Sequence, residues 1–353
     1  MKIHNFCAGP SILPGEVFTQ ASDAVKEINN SGLSLLEISH RSHDFVDIMD
    51  EARDLSIELL GLSRKDFTPL FLQGGASMQF LMTAYNFLKN EAAFLNTGTW
   101  SKKAIKEARI FGKVDVLGSS EVENFNHIPK ISINKEYDYF HCTSNNTIFG
   151  TQIHNFPETK IPVFCDMSSD IFSRVINFQD FDLIYAGAQK NLGPAGATLV
   201  IIRNELLERI NDNVPSMLNY KVHSEKSSMF NTPPVFSIYV SLLNMRWIRN
   251  SGGISKLEEK NRKKAEILYS EIDINPLFKG HAKVEDRSIM NATFNLTDNN
   301  FKNSFESMLE KANIKALSGH RSVGGYRASM YNAMDIQSVK VLVEVMNELE
   351  SKI

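Results

Sequence analysis

The chain predicts an α/β fold: a mostly parallel sheet with helices on both faces, followed by a smaller C-terminal α/β unit. Three observations predict it. Short apolar runs alternate with helix-period segments from Pro69 to Ile202, as in a sheet covered on both sides. At 353 residues the chain is long enough for a large core and two domains. After Pro233-Pro234 the alternation yields to two long helices and then to a second, shorter set of strands and helices.

Taken in order, a first helix is expected from Gly15 to Asn30, stopping at Gly32. Phe45, Ile48, Met49, Ala52, Leu55, Leu59 and Leu60 return to one face, which predicts an amphipathic helix over Phe45–Leu60. A strand over Pro69–Leu72 leads through Gly74-Gly-Ala-Ser77 into a helix over Met78–Leu88. Ala92–Leu95 is the next strand and Lys102–Phe111 the next helix. Val114–Leu117, Tyr137–Cys142, Val163–Cys165, Leu183–Ala186 and Ala197–Ile202 complete the strand set. Helices over Phe236–Arg249 and Lys256–Glu271 follow, the second rich in Glu and Lys and so expected to carry a solvated face. Beyond Asn275-Pro276, strands are expected near Ala292–Leu296, Ile314–Leu317 and Tyr326–Met330, with helices over Lys302–Ala312 and Gln337–Ser351. The boundary falls between Asp273 and Lys283, giving domains of 1–275 and 276–353.

Hydrophobic residues make up 42% of the chain and charged residues 22%, ordinary for a globular protein. A net charge of -3 gives no reason to expect a nucleic acid or a membrane surface as partner. Cys7, Cys142 and Cys165 lack metal-ligand spacing, and no metal site is expected; the last two sit in apolar runs, as buried reduced thiols do. The first residues lack the apolar stretch of a signal peptide and no run reaches the length of a membrane span, so the cytoplasm is the expected location.

The chemistry is concentrated where strands end. Leu183 to Ala186 empties into small residues, then Lys190, then Gly193-Pro-Ala-Gly196. A lysine there is poorly hydrated, its ammonium form is disfavoured, and its amine is available as a nucleophile. Val163-Phe-Cys-Asp166 puts a carboxylate at the end of another strand. An acid and a lysine at neighbouring strand ends suit pyridoxal phosphate, whose ring nitrogen wants an anion and whose aldehyde wants an amine. A helix cap or a structural ion pair is the alternative reading of Asp166 alone.

Gly74-Gly-Ala-Ser77 joins strand to helix as a phosphate cradle or a plain tight turn; it is no dinucleotide fingerprint, since the third glycine is absent. Trp100, in Asn96-Thr-Gly-Thr-Trp100, is a stacking platform or a packing residue. Thr147, in Asn145-Asn-Thr-Ile-Phe-Gly-Thr151, is a ligand donor or a turn former. Co-occurrence of these groups on one sheet edge favours a cofactor site. Two loops, Ser39-His-Arg-Ser-His43 and Gly319-His-Arg-Ser-Val-Gly-Gly-Tyr-Arg327, pair His-Arg with small residues. Arginine suits carboxylate and phosphate, and two such pairs with Arg327 in a net-negative chain favour an anionic ligand over incidental surface charge.

On these motifs the chain resembles the phosphoserine aminotransferase family, in the class V group of fold-type I pyridoxal phosphate enzymes. The resemblance runs from Asn5-Phe-Cys-Ala-Gly-Pro10 to Gly324-Gly-Tyr-Arg-Ala-Ser-Met-Tyr-Asn332. It is carried most strongly by Glu37-Ile-Ser-His-Arg-Ser42, Leu72-Gln-Gly-Gly-Ala-Ser77, Ala186-Gly-Ala-Gln-Lys-Asn-Leu-Gly-Pro-Ala-Gly196 and the loop from Gly319 to Arg327. It implies a large cofactor-binding domain and a small C-terminal one. It also implies reversible amino transfer between glutamate and 3-phosphooxypyruvate, giving O-phospho-L-serine and 2-oxoglutarate in serine biosynthesis, with a phosphorylated hydroxythreonine of pyridoxine biosynthesis as a second substrate. By the same resemblance Lys190 carries the cofactor as a Schiff base and Asp166 pairs with its ring nitrogen. Trp100 stacks on the ring, Thr147 bonds its phenolic oxygen, and Ala76, Ser77 and Gln189 hold its phosphate. Asn231 and Thr232 reach that phosphate from a second subunit, so the implied enzyme is a homodimer with shared sites. Arg327 is expected to take the substrate α-carboxylate, and His40, Arg41, His320 and Arg321 the phosphate or γ-carboxylate. Some relatives carry an arginine where this chain has Ser77, so the two His-Arg pairs must carry more of the anion binding here.

Rival activities fit less well. A cysteine desulfurase needs a cysteine downstream of its lysine, and all three cysteines precede Lys190. An alanine–glyoxylate type enzyme leaves two His-Arg pairs without a role. A regulator's effector domain usually brings a DNA-binding segment ahead of the first motif, and the expectation here is that none is present.

Overall fold

The computed structural model describes residues 2–352, and its largest element is a seven-stranded sheet. The strands are β1 (Phe67–Leu72), β2 (Glu91–Asn96), β3 (Lys113–Ser119), β4 (Phe140–Thr143), β5 (Val163–Asp166), β6 (Leu183–Gly187) and β7 (Thr198–Arg203). They lie in the order β1-β7-β6-β5-β4-β2-β3. β7 runs antiparallel to both of its neighbours and every other pairing is parallel. Two antiparallel steps return β1 to the direction of β6. The segments that leave β1, β2, β4, β5 and β6 therefore emerge along one edge, where ligands of open α/β sheets bind.

Both faces of the sheet are covered, which is why its strands read as unbroken apolar runs. On one face α2 (His43–Leu59) contributes Phe45, Met49 and Ala52, and α5 (Val235–Asn250) contributes Ile238, Leu242 and Met245. On the other, α3 (Gly75–Phe87) and α4 (Thr99–Ala108) set Phe80, Met82, Ala104 and Ile105 against Phe94, Phe164 and Tyr185. The first helix, α1 (Gly15–Lys26), ends four residues before the predicted Asn30. Glu27 is extended, and Asn29 and Asn30 take left-handed φ of 52° and 54°, which a helix cannot continue through.

After α6 (Gly253–Ile274), three strands, β8 (Phe278–Gly280), β9 (Asn291–Leu296) and β10 (Tyr326–Ser329), form an antiparallel sheet in that order. It is packed by α7 (Lys302–Lys311) and α8 (Ile336–Glu350). The strand predicted at Ile314–Leu317 is two residues long and does not join this sheet. Ile314 and Lys315 pair instead, in parallel, with His4 and Asn5 at the other end of the chain. The second apolar core likewise takes in Phe6, and Ala265, Leu268 and Ile272 of α6, beside the residues from Phe278 onward.

One lysine of α6 departs from the solvated face predicted for that helix. Lys264 is 1% exposed and its Nζ donates to the carbonyls of Met330 (2.9 Å) and Tyr331 (2.7 Å), pinning the turn that follows β10. Burial pushes its pKa down to about 7, with Asp335 opposing and Lys260 assisting. Unfolding restores the ordinary, higher value, so between about pH 7 and pH 10.5 the unfolded chain holds a proton that the folded chain does not. Stability from this group therefore rises with pH across that window. The free energy of unfolding is expected to gain about 2–3 kcal/mol from Lys264 between pH 7 and pH 9. Urea denaturation at the two pH values checks it: Lys264→Met should flatten that rise.

Candidate active site

Five strand ends, those of β1, β2, β4, β5 and β6, bring the predicted groups together. β6 passes Gly187 into a tight turn in which the Lys190 N–H donates to the Ala188 carbonyl at 2.7 Å. The turn is held from the N-terminal segment, where the Ser11 N–H donates to the Gln189 carbonyl (2.9 Å) and Ser11 Oγ to the Lys190 carbonyl (2.5 Å). Gly9 lies flat against it, since a Cβ at that position would sit 3.5 Å from Cγ of Lys190. Among the described residues the Lys190 amine has no hydrogen-bond or ion-pair partner. Its pKa is lowered by burial and by Arg327, against the pull of Asp166 and Asp170.

Asp166 ends β5 and is 4% exposed. Its Oδ1 accepts from the Ser168 N–H (2.9 Å) and from Ser168 Oγ (2.6 Å), which fixes the plane of the carboxylate and leaves Oδ2 without a partner among the described residues. Burial raises its pKa, and the Lys190 charge and the Ser168 bonds only partly offset this. Desolvation thus outweighs the attraction between the two groups. Each is held nearer neutrality than it would be in water.

Trp100 stands on the first turn of α4, and its Nε1 donates to Thr147 Oγ1 at 3.1 Å. The bond fixes the indole plane, and the Lys190 Nζ lies 5.6 Å from the ring centroid. Thr147 is 2% exposed, and its carbonyl accepts from Arg327 Nη1 at 3.1 Å. The helix start at Gly74-Gly75 needs glycine: Gly74 has φ of 92°, and a Cβ there would lie 2.5 Å from that of Met78. Beside it, a Cβ on Gly187 would lie 3.5 Å from the Ala76 nitrogen and 2.9 Å from Gln189 Oε1. Ala76, Gln189 and the helix start therefore crowd around Gly187, which has no room for a side chain. Ser77 is exposed at this point.

The anion-binding candidates divide. Arg327 on β10 is half-buried and His320 sits on the loop before it, where Val323 packs against the same small cluster as Trp100. His320 Nδ1 bonds Ser322 Oγ at 2.7 Å, and its pKa is lowered by burial and then by the charges of Arg327, Arg321 and Lys103. Lys103, not singled out in the sequence, holds its Nζ 4.6 Å from the Trp100 centroid. The sequence signal for it is its place one turn after Trp100. Among the described residues Lys103, Arg321 and Arg327 have no carboxylate partner. His40 and Arg41 lie on the turn before α2; Arg41 is exposed and unpaired, and His40 Nε2 is buried without a hydrogen bond. Asn231 lines a cleft with Gln73 and Gly74, and the Thr232 carbonyl accepts from Gln73 Nε2 at 3.0 Å. No bond within the chain joins His40, Arg41, Asn231 or Thr232 to Lys190 or Asp166.

A group with an electrophilic carbon, a basic ring nitrogen and a phosphate fits these residues. The free amine of Lys190, the open Oδ2 of Asp166 and the helix start at Gly74-Gly75-Ala76 suit those three features, and the fixed face of Trp100 suits the ring. The comparisons agree. The family model of class-V aminotransferases matches residues 3–342. The phosphoserine aminotransferase of Flavobacterium psychrophilum is 61% identical, with 100% of both chains covered. Among solved structures, phosphoserine aminotransferase from Bacillus circulans subsp. alkalophilus superposes with a TM-score of 0.96 at 40% identity, covering 99% of each chain. The pyridoxal-phosphate-bound enzyme from Trichomonas vaginalis gives 0.93 at 34%, over 98% of this chain and 100% of the other.

Proposed function

Since the chain belongs to the class-V aminotransferases and, within them, to the phosphoserine aminotransferase family, we propose the following division of labour among its residues. The enzyme transfers an amino group reversibly between glutamate and 3-phosphooxypyruvate, giving O-phospho-L-serine and 2-oxoglutarate, with pyridoxal 5'-phosphate as cofactor. Bound, the cofactor supplies an aldehyde that accepts the amino group and a ring that draws electrons from the substrate Cα.

Asp166 Oδ2 holds the proton on the ring nitrogen, and Ser168 keeps the carboxylate in plane. Trp100, fixed by Thr147, presents its face to the ring. Ala76, Ser77 and Gln189 take the cofactor phosphate at the start of α3, joined by Asn231 and Thr232 of the partner subunit in a homodimer. Exposed apolar side chains, Phe18, Leu33, Leu36, Met217 and Phe230, support an assembly of that kind. Lys190 would hold the cofactor through Nζ and, when released as the free amine favoured by its lowered pKa, would take up and give back the substrate proton on Nζ. Arg327 takes the α-carboxylate; His40, Arg41, His320 and Arg321 take the phosphate or γ-carboxylate, with Lys103 as a further cation. Soluble action in the cytoplasm fits a chain in which no described helix is long and apolar enough to cross a membrane.

The observation that carries this reading is the pairing of a partnerless amine and a half-free carboxylate on one sheet edge with cations that lack counter-ions. Purified protein should be yellow, and O-phosphoserine or glutamate should bleach it far faster than alanine does. A protein that cannot be loaded with pyridoxal phosphate would refute the reading. The anion assignments have their own check. Arg321→Ala should raise KM for O-phosphoserine about tenfold or more and spare the weak reaction of alanine, whereas Arg327→Ala should weaken both. Equal losses with both variants would remove the distinction.

A further inference from the structure

Next to Lys190 is a side chain that the mechanism does not use. Asn191 is 3% exposed and makes bonds in three directions. Its Nδ2 donates to the Ser169 carbonyl at 2.9 Å, on the turn that follows Asp166. Its Oδ1 accepts from the Asn332 N–H at 3.0 Å, on the segment that leaves β10 and Arg327. Its carbonyl accepts from Asn244 Nδ2 of α5 at 2.8 Å, and the same amide donates to the Leu192 carbonyl at 3.0 Å. Asn332 is anchored in turn: its Nδ2 donates to the Phe172 carbonyl, and its Oδ1 accepts from Asn261 Nδ2 of α6.

We infer that Asn191 is a positioning residue, which sets the Lys190 amine relative to both Asp166 and Arg327. The lysine stem has four rotatable bonds and, among the described residues, no hydrogen-bond or ion-pair partner at its tip. Its aim depends on the root, and a displacement of about 1 Å at a reacting atom can cost on the order of 100-fold in rate. The root is held on one side by Ser11. On the other, Asn191 ties the lysine's own turn both to the acid's turn at Ser169 and to Asn332 on the segment that carries the substrate arginine, two elements that Asn332 also joins at Phe172. Only an amide serves: it donates to one carbonyl while accepting from one N–H. Alanine leaves the Ser169 carbonyl and the Asn332 N–H unpaired in a dry site, and aspartate has no proton for Ser169.

The proposal rests on the function proposed above, and its test separates the two. Three variants of the cofactor-loaded enzyme are compared. Asn86→Ala is the control: Asn86 is buried, its Nδ2 donates to the Met82 and Leu218 carbonyls, its Oδ1 accepts from the Tyr220 N–H, and it lies outside the site. Asn191→Ala should lower kcat at least about tenfold with KM within threefold, and shift the pH midpoint of the visible absorption band by about half a unit or more. Asn86→Ala should lower the melting temperature yet leave kcat and that midpoint in place. Asn244→Ala, which frees the Asn191 carbonyl without altering its side chain, should move both readouts in the direction of Asn191→Ala by a smaller amount. It carries the test should Asn191→Ala not fold. A loaded, active wild type whose Asn191 and Asn244 variants keep both kcat and midpoint overturns this proposal alone. Wild-type protein that cannot be loaded overturns it together with the function.

Discussion

Lys190→Ala should lose at least about 10^4-fold in kcat, because one side chain supplies both the attachment of the cofactor and the proton carrier. Its backbone bonds to Ser11 and Ala188 do not depend on the side chain, so the variant should fold and keep its shape. A small primary amine added to it should restore part of the rate, since the vacated space is that of a propylamine stem and its walls remain. Steady-state turnover with and without the amine checks both statements. The same variant reports on assembly. Mixed and re-equilibrated with an Asn231→Ala/Thr232→Ala double variant, it should recover up to about a quarter of wild-type activity, because a hybrid dimer then contains one intact shared site. No recovery in a demonstrated hybrid would mean that each chain completes its own site.

Asp166→Asn should lose about 10^2–10^3-fold in kcat with a smaller change in KM. The amide preserves the acceptor that Ser168 binds but offers no negative charge to hold a proton on the ring nitrogen. Binding of the cofactor should weaken as well, measured by the rate at which the yellow colour is lost on dialysis. Stability should move the other way. In the cofactor-free protein the carboxylate is buried with its pKa raised, so it destabilises that state, and the cofactor-free asparagine variant should melt no lower than wild type. A variant as active as wild type would remove Asp166 from the mechanism.

The parts of the site that the sequence made legible are those where chemistry and fold signal coincide. Asp166 and Lys190 each follow an apolar run, and Trp100 and Thr147 each follow a strand and a polar turn, so locating the strands located the candidate residues on one sheet edge. Local signals failed where pairing is remote or short. Phe278–Gly280 has one aromatic residue and no β-branched one, and it is a strand because β9 lies beside it. Ile314 and Lys315 read as part of the small sheet because nothing in their own composition points to His4 and Asn5. Lys264 read as solvated because charge periodicity says nothing of two waiting carbonyls. Asn191 has no role legible in its own motif, since its meaning lies in Ser169, Asn244 and Asn332.

The pairing of His4–Asn5 with Ile314–Lys315 has a consequence for how the molecule is made. Synthesis delivers the His4–Asn5 strand well before its partner. Until then Gly9 and Ser11 can meet the lysine turn, but the strand that leads into them is unpaired. The large sheet can form from the residues between, but the pocket stays incomplete, because the strand beside one of its walls is paired late and Arg327 is made later still. Closing a loop of that length adds only slowly to the entropic cost, so the arrangement costs little stability and mainly costs time. A ribosome-bound fragment that ends before Ile314 should therefore hold a folded sheet and an unfinished site.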